Sequence, residues 1–146
     1  MNCLSFKSKF GWISAFEDNN KIFKVKFGKH KSISTSKNLK RFRISLINFL
    51  NKKNITIKSN FHIEGNTIQK TVWKELTKIK LGKTKSYGEI AKIVKTSPRY
   101  VGNVCGQNRH LLVIPCHRVI RTDGGLGGFS SSGGIGLKKR LLNLEQ

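Results

Sequence analysis

The sequence predicts an α+β protein with two lobes, a small α/β lobe over residues 1–60 and a mainly helical lobe over residues 61–146. Two short runs rich in apolar and aromatic residues, FGWISAF and KIFKVKF, are typical of strands. Apolar residues at helical spacing mark several later segments. A polar stretch at residues 57–65 predicts the boundary, and 146 residues can form one ordinary core or two compact lobes.

In the first lobe, the two strand-like runs flank residues 17–20, whose side chains favour a turn, so we expect a hairpin. The segment LKRFRISLINFLNKK follows and predicts an amphipathic helix that ends within residues 51–54. Its apolar positions at helical spacing are Leu39, Phe42, Leu46, Phe49 and Leu50.

The second lobe opens with TIQKTVWKELTKIKLG, which predicts a helix with one apolar face. That face holds Val72, Trp73, Leu76 and Ile79. The chain ends with LKKRLLNLEQ, which predicts a short helix that packs through Leu137, Leu141 and Leu144.

Between these helices, the sequence predicts a pair of short helices joined by a brief turn. Ser86 and Glu89 form a capping box for the first, while Ser97 can cap the second and Pro98 can take its first position. The pair is a candidate helix-turn-helix, although any helical hairpin would give the same spacing.

The charge of the chain favours a polyanionic partner, nucleic acid first. There are 29 Lys and Arg against 7 Asp and Glu, a net charge of +22 and a pI near 10.5. The alternative is compositional drift, because Lys, Asn and Ile are all frequent, as AT-rich coding sequence produces. The chain shows no apolar stretch of about 18 residues and no signal peptide, so we expect a cytoplasmic protein, nuclear in a eukaryote, without a membrane partner.

The three cysteines and four histidines do not form a metal-binding pattern. Cys3, Cys105 and Cys116 include no CxxC pair, and the histidines are scattered without ligand spacing. We therefore predict no metal and no other cofactor.

Cys116 is the candidate nucleophile, because Pro115 stiffens the turn that holds it. A free thiol has a pKa of about 8.5 and needs a base or positive surroundings, which His117, Arg118 and Arg121 could supply. Adjacent side chains often point apart, so a water could carry the proton between Cys116 and His117. Taken alone, the pair fits a buried small residue beside a surface histidine better than a nucleophile.

Other residues could complete a site. Glu145 lies near a helix C-terminus, where the macrodipole disfavours negative charge, so it either orients a histidine or belongs to a solvated terminus. Tyr87 and Arg99 begin the two helices of the pair, and Gly102 lies inside the second, where close approach to DNA or tight packing would explain it. The loop DGGLGGFSSSGGIG is either a linker or a wall against a ligand.

Taken together, these segments resemble the O6-alkylguanine-DNA alkyltransferases. The resemblance covers residues 67–145 strongly and the first sixty residues only in general pattern. The matching segments, in the order of the family, are SYGEIA, PRYVGN, Asn108, IPCHRV, the Gly-rich loop and KKRLLNLE.

The resemblance implies an RNase H-like N-terminal lobe and a helix-turn-helix whose second helix faces the minor groove. The implied partner is double-stranded DNA carrying O6-alkylguanine, with O4-alkylthymine as a second candidate lesion, and the protein would act as a monomer. The damaged base would be rotated out of the stack, and Arg99 would fill its space. With Arg99 we group Tyr87, Gly102 and Arg118 as DNA-binding residues.

For catalysis, the resemblance implies that the Cys116 thiolate takes the alkyl group in a single turnover. His117, through water, and Glu145 would accept the thiol proton, and Tyr87 would donate toward the base. The predicted substrate-binding residues are Asn108, which braces the turn, backbone at Val119 and Ser130, and Phe129, which replaces the usual tyrosine.

Three rival functions stay open. A lesion-binding relative would flag the base without transfer, but such proteins typically lack the cysteine. A sequence-specific regulator would need base-reading side chains, of which Val101, Gly102 and Val104 offer few. A thiol hydrolase could be built on Cys116 and His117.

Overall fold

The computed structural model describes residues 1–52, 57–129 and 133–146. The chain divides into two compact units, Met1–Ile63 and Glu64–Gln146. One contains a three-stranded sheet and a helix, and the other contains four helices and a two-stranded sheet among the described residues. The predicted α+β class is confirmed.

The first unit is an antiparallel sheet with one helix. Its strands are β1 (Asn2–Ser8), β2 (Gly11–Asp18) and β3 (Lys21–Phe27), in the order β1-β2-β3. The predicted hairpin is β2–β3. Asn19 and Asn20 make its two-residue turn, and both have positive φ, 49° and 62°, as hairpin turns of this length favour.

Strand β1 was not predicted, because its polar residues are not confined to one face and the strand pattern is weak. It nevertheless pairs with β2 along its whole length, from Asn2 opposite Glu17 to Ser8 opposite Gly11. This pairing makes β2 the central strand, with buried side chains on both faces.

The helix of this unit is α1 (Lys37–Leu50), which ends one residue before the predicted limit at Asn51. Ser36 caps it by accepting a hydrogen bond from the Leu39 backbone N–H at 3.1 Å. Four of its five predicted apolar positions are buried, whereas Phe49 is half-buried. The buried four are Leu39, Phe42, Leu46 and Leu50.

The second unit begins with α2 (Thr67–Thr77), which is shorter than the segment that predicted it. Val72, Trp73 and Leu76 are buried, and Ile79 is buried beyond the helix end. The Trp73 indole donates to the Val104 carbonyl at 3.1 Å and so ties α2 to the helix pair.

The helix pair consists of α3 (Tyr87–Val94) and α4 (Pro98–Gly106), joined by residues 95–97. Both predicted caps are confirmed. Ser86 and Glu89 form a reciprocal capping box, and Ser97 accepts from the Tyr100 backbone N–H at 3.1 Å. Pro98 takes the first position of α4.

A short parallel sheet connects the start of α3 to the cysteine segment. Strand β4 (Lys85–Ser86) pairs with β5 (Val119–Ile120), so the residues before Tyr87 run beside those after Cys116. Helix α5 (Gly134–Leu144) closes the unit with Leu137 and Leu141 buried. Within the described ranges, no helix is long and apolar enough to cross a membrane.

Candidate thiol site

Cys116 begins a single 3₁₀ turn, Cys116–Arg118, directly after Pro115. Its side chain is only 4% exposed and lies in the wall of a cleft of about 1130 Å³. The cleft is large enough for a planar base. Its lining includes Tyr87, Arg99, Gly102, Cys116, Gly127 and Phe129.

The side chain of Asn108 stabilises the turn that holds Cys116. Its side-chain Nδ2 donates to the Ile114 carbonyl at 2.9 Å and to the Cys116 sulfur at 3.3 Å, while its Oδ1 accepts from the His110 backbone N–H at 2.8 Å. A donor aimed at sulfur stabilises the thiolate. The predicted bracing role fits this geometry, and the grouping of Asn108 with the substrate-binding residues stays a prediction.

His117 and Glu145 form a buried pair in which Nε2 and Oε2 are 2.8 Å apart. A carboxylate can only accept, so Nε2 carries the hydrogen. Burial outweighs the carboxylate and lowers the pKa of His117, which favours the neutral ring. Nδ1 then holds a lone pair, and it has no hydrogen-bond partner among the described residues.

Arg118 holds the same carboxylate. Its Nε and Nη2 donate to the two oxygens of Glu145 at 2.8 Å each, and Nη1 donates to the Ile79 carbonyl at 2.8 Å. Burial alone would raise the pKa of Glu145, but the bonds from His117 and Arg118 lower it to about 2. Glu145 is therefore not part of a solvated terminus. The structure agrees with the other alternative, in which Glu145 orients a histidine.

This arrangement corrects the prediction that Arg118 contacts DNA. The residue is only 9% exposed, and its guanidinium is committed to Glu145 and Ile79. A side chain buried in such a network cannot reach a phosphate without breaking it. Arg118 supports the carboxylate instead.

Tyr87, at the first position of α3, lines the cleft. Burial is the main cause that raises its pKa to about 12, so the phenol stays protonated near neutral pH. The backbone of Gly127 packs directly on the ring. A Cβ added there would lie 3.0 Å from Cε2 and 3.1 Å from the hydroxyl oxygen, and its φ is +73°.

The thiol itself is protonated at rest, because burial raises the pKa of Cys116 despite the Asn108 bond and the charge of Lys138. Lys138 was missed by the sequence reasoning. It is fully buried, and burial lowers the pKa of its side chain. Its position three residues before Leu141 on the apolar arc of α5 was the available signal.

Arg99 and Gly102 lie on α4, along the rim of the cleft. Arg99 is exposed at the second position of the helix. At Gly102, an added Cβ would meet only Tyr87, at 4.0 Å, so packing does not demand a glycine. Tight packing, one of the two explanations for Gly102, therefore finds no support here, and close approach to DNA stays a prediction.

The remaining predicted residues differ in their placement. Phe129 is half-buried and lines the cleft. Val119 is fully buried at the start of β5, where its backbone N–H donates to the Cys116 carbonyl. Ser130 lies outside the described residues. Across the described ranges, no three His, Cys, Asp or Glu side chains are grouped to hold a metal ion.

These features define a protein with a cysteine nucleophile site beside a short helix pair. A family model described as "6-O-methylguanine DNA methyltransferase, DNA binding domain" matches residues 67–146. The chain belongs to this family.

The similar proteins carry a consistent description. The methylated-DNA–protein-cysteine methyltransferase of Metallosphaera sedula is 35% identical over 144 residues, 97% of this chain and 90% of the relative. The one of Sulfolobus acidocaldarius is 45% identical over 98 residues, 67% of this chain but only 61% of the relative. The crystal structure of Mycobacterium tuberculosis OGT in complex with DNA superposes with a TM-score of 0.87 at 28% identity, covering 98% of this chain and 91% of that one.

Proposed function

We propose that this protein repairs alkylated DNA by moving the alkyl group from O6 of guanine to the sulfur of Cys116. The observation that carries the proposal is the buried thiol in a base-sized cleft, flanked by the His117–Glu145 pair. Family membership supports the same reaction. O4-alkylthymine is a second candidate substrate.

Activation begins with the thiol proton. His117 is neutral, with its hydrogen on Nε2 and its lone pair on Nδ1, so Nδ1 can act as the base. Because a buried nitrogen needs a polar partner, we place a water next to Nδ1 of His117. This water carries the proton from the Cys116 sulfur to Nδ1. Glu145 stabilises the imidazolium that forms, and Arg118 keeps Glu145 ionised.

The thiolate then displaces guanine from the alkyl carbon. The S–C bond forms as the C–O6 bond breaks, and the electron pair leaves with the base. Tyr87, protonated near neutral pH, donates toward the base as this charge develops. The product is a thioether that water does not cleave, so each molecule reacts once.

The same proposal assigns DNA binding to the second domain, residues 61–146, with residues 1–60 as an RNase H-like first domain. Helices α3 and α4 serve as a helix-turn-helix, and the open face at Gly102 permits backbone to approach DNA. The lesion rotates into the cleft, and Arg99 at its rim fills the vacated stack. The protein acts as a monomer on double-stranded DNA, in the cytoplasm or the nucleus.

One experiment tests the reaction. Duplex DNA carrying O6-methylguanine is incubated with the protein, and the intact mass is measured. We expect the gain of a single methylene, located on Cys116 by peptide mapping and lost in Cys116→Ala. Cys105→Ala is the matched control, since Cys105 lines the same cleft but has its pKa raised to about 12 by burial. Tight binding with unchanged mass would instead support a lesion-binding protein.

A further inference from the structure

The first unit carries more excess positive charge than the second. Residues 1–63 hold 14 Lys and Arg against 2 Asp and Glu, whereas residues 64–146 hold 15 against 5. Glu17 is fully buried, which leaves Asp18 as the one exposed carboxylate among the described residues of the first unit. The proposed function gives this positive charge no role, because it assigns DNA binding to the second domain.

Three of the lysines share one face of the sheet. Residues opposite each other in neighbouring antiparallel strands point to the same side, and so does every second residue along a strand. The opposite pairs on this face are Lys7 with Trp12, Ser14 with Lys26, and Phe16 with Lys24. The other face of the sheet is apolar and buried at the intervening positions, which are Phe6, Ile13, Ala15, Val25 and Phe27.

An aromatic ring holds two of these lysines in place. The Nζ atoms of Lys24 and Lys26 lie 5.9 and 5.7 Å from the centre of the Phe16 ring. Both distances are within the range of a cation–π contact. Phe16 is only 7% exposed and both lysines are half-buried, as expected when their apolar stems cover the ring and the ammonium groups stay in water.

A fourth lysine reaches the same face from the segment that follows β3. Gly28 is fixed to β2, because its N–H donates to the Trp12 carbonyl at 2.7 Å and its carbonyl accepts from the Ser14 hydroxyl at 2.7 Å. The next residue, Lys29, places its Nζ 4.6 Å from the centre of the Trp12 ring. We call these four residues the lysine face: Lys7, Lys24, Lys26 and Lys29.

The lysine face has no negative partner in the part of the chain that the structure describes. Within that part, none of its four ammonium groups makes an ion pair or a hydrogen bond. Like charges on one surface repel each other, so a bound polyanion relieves the repulsion. Because lysines already cover the Phe16 and Trp12 rings, bases cannot stack there freely, and the surface suits phosphate better than bases.

We propose that the lysine face binds the phosphate backbone of DNA, as a second DNA-binding surface in addition to the helix pair. The surface goes beyond the proposed function, although the choice of DNA as the polyanion rests on it. Binding is ionic and independent of sequence, because a lysine ammonium contacts phosphate as a point charge. Each contact releases counterions, so four lysines contribute about 3 to 4 units to the slope of log affinity against log salt.

The first test compares variants with matched changes in charge. Lys24→Gln with Lys26→Gln removes two ammonium groups from the lysine face. The control, Lys37→Gln with Lys40→Gln, removes two exposed ones from α1. Lys24→Arg with Lys26→Arg keeps the charge. Each variant of the whole chain is titrated with undamaged fluorescent duplex DNA at several salt concentrations, and thermal unfolding checks each fold.

For the Gln variant of the lysine face, we expect the salt slope to fall by about 2 and the affinity at low salt to fall by about tenfold or more. The Arg variant should keep most of the slope, and the α1 control should keep the slope of the unmodified chain. An unchanged slope in the Gln variant would overturn the proposal. An equal fall in the α1 control would overturn it too, because the charge would then act without a defined surface.

A second measurement maps the contact on the unmodified chain. An N-hydroxysuccinimide ester of acetic acid acetylates accessible lysines, with N-hydroxysuccinimide as the leaving group, and mass spectrometry gives the rate at each lysine. Undamaged duplex DNA should slow acetylation of all four residues of the lysine face but not of Lys37 and Lys40. Protection by phosphatidylserine vesicles and not by DNA would overturn the proposal and indicate a membrane-binding surface.

The outcomes separate this proposal from the repair reaction, because undamaged DNA involves no chemistry at Cys116. If the unmodified chain takes no alkyl group from O6-methylguanine DNA but the slope falls as expected, the proposed function is refuted and the lysine face stands. If the chain takes the alkyl group and the Gln variant keeps its slope, only the lysine face is refuted.

Discussion

The imidazole of His117 and the carboxylate of Glu145 lie 2.8 Å apart, with their side chains 1% and 2% exposed, although 28 residues separate them in the chain. The pair leaves Nδ1 of His117 as the basic atom. The proposed transfer reaction therefore depends on the negative charge of Glu145 as well as on its hydrogen bond.

Replacing Glu145 by Gln should slow alkyl transfer by about 10- to 100-fold, because the amide can accept from Nε2 but cannot stabilise the imidazolium. Single-turnover transfer from O6-methylguanine DNA measures the effect. Glu75→Gln is the matched control, since the Glu75 carboxylate forms an i,i+3 ion pair with the exposed Lys78. Equal rates for Glu145→Gln and the unmodified chain would remove Glu145 from the mechanism.

Stability should fall in acid as Glu145 is protonated. Its pKa is about 2 in the folded protein and 4.5 ordinarily, so the unfolded chain takes up the proton first. The contribution, about 3 kcal/mol, is complete above pH 4.5 and is lost as the pH falls toward 2. The lowered pKa of His117 acts in the same direction below 6.5, because the unfolded state is protonated first there too.

Urea unfolding at a series of pH values checks this expectation. Glu145→Gln should be less stable at pH 7 and should lose less stability than the unmodified chain between pH 4.5 and 2. Parallel curves for the two proteins across that interval would contradict the assignment.

Gly127→Ala should impair transfer by displacing Tyr87. The added methyl would lie about 3 Å from the ring, and the positive φ costs a non-glycine residue about 1 kcal/mol or more. Gly128→Ala is the control, because nothing lies within 4 Å of a Cβ there. We expect at least about a tenfold loss of transfer rate for Gly127→Ala only. Similar rates for both variants would show that the contact with Tyr87 is not needed.

Gly102→Ala should raise the stability of the protein and at the same time weaken its binding to DNA. The structure has room for the methyl group, so alanine should stabilise α4 by up to about 1 kcal/mol. The same methyl would obstruct the proposed approach of DNA and weaken binding. Gly136→Ala in α5, which also has open space, should stabilise the protein without changing affinity. Unchanged DNA affinity in Gly102→Ala would place the DNA elsewhere.

DNA affinity should fall steeply with salt, since the chain carries a net charge of +22 and bound cations release counterions from phosphate. Titrations with fluorescent duplex DNA at several salt concentrations give the slope. A salt response that stays flat would mean that the high positive charge is compositional.

Arg99→Ala should weaken binding of lesion DNA more than Lys139→Ala, because of these two residues only Arg99 lies at the rim of the cleft.

Short-range chemistry made much of the fold predictable. The caps at Ser86 and Ser97 were predicted because their partners lie three residues away, where local geometry alone brings donor and acceptor together. The buried face of α1 followed from helical periodicity. Strand β1 was missed because its position depends on pairing with β2, which its own residues do not signal.

The site was predictable as a set of residues and not as a set of contacts. By itself, the sequence determined the caps, the helix faces and the family motif around Cys116. Only the tertiary structure decided that Arg118 serves Glu145, 27 residues away, instead of DNA, and that Lys138 reaches Tyr87 across 51 residues. Such contacts depend on how distant segments of the chain pack together. Burial then decides which side chains stay ionised, because a buried group keeps its charge only where the fold provides hydrogen-bond or charged partners.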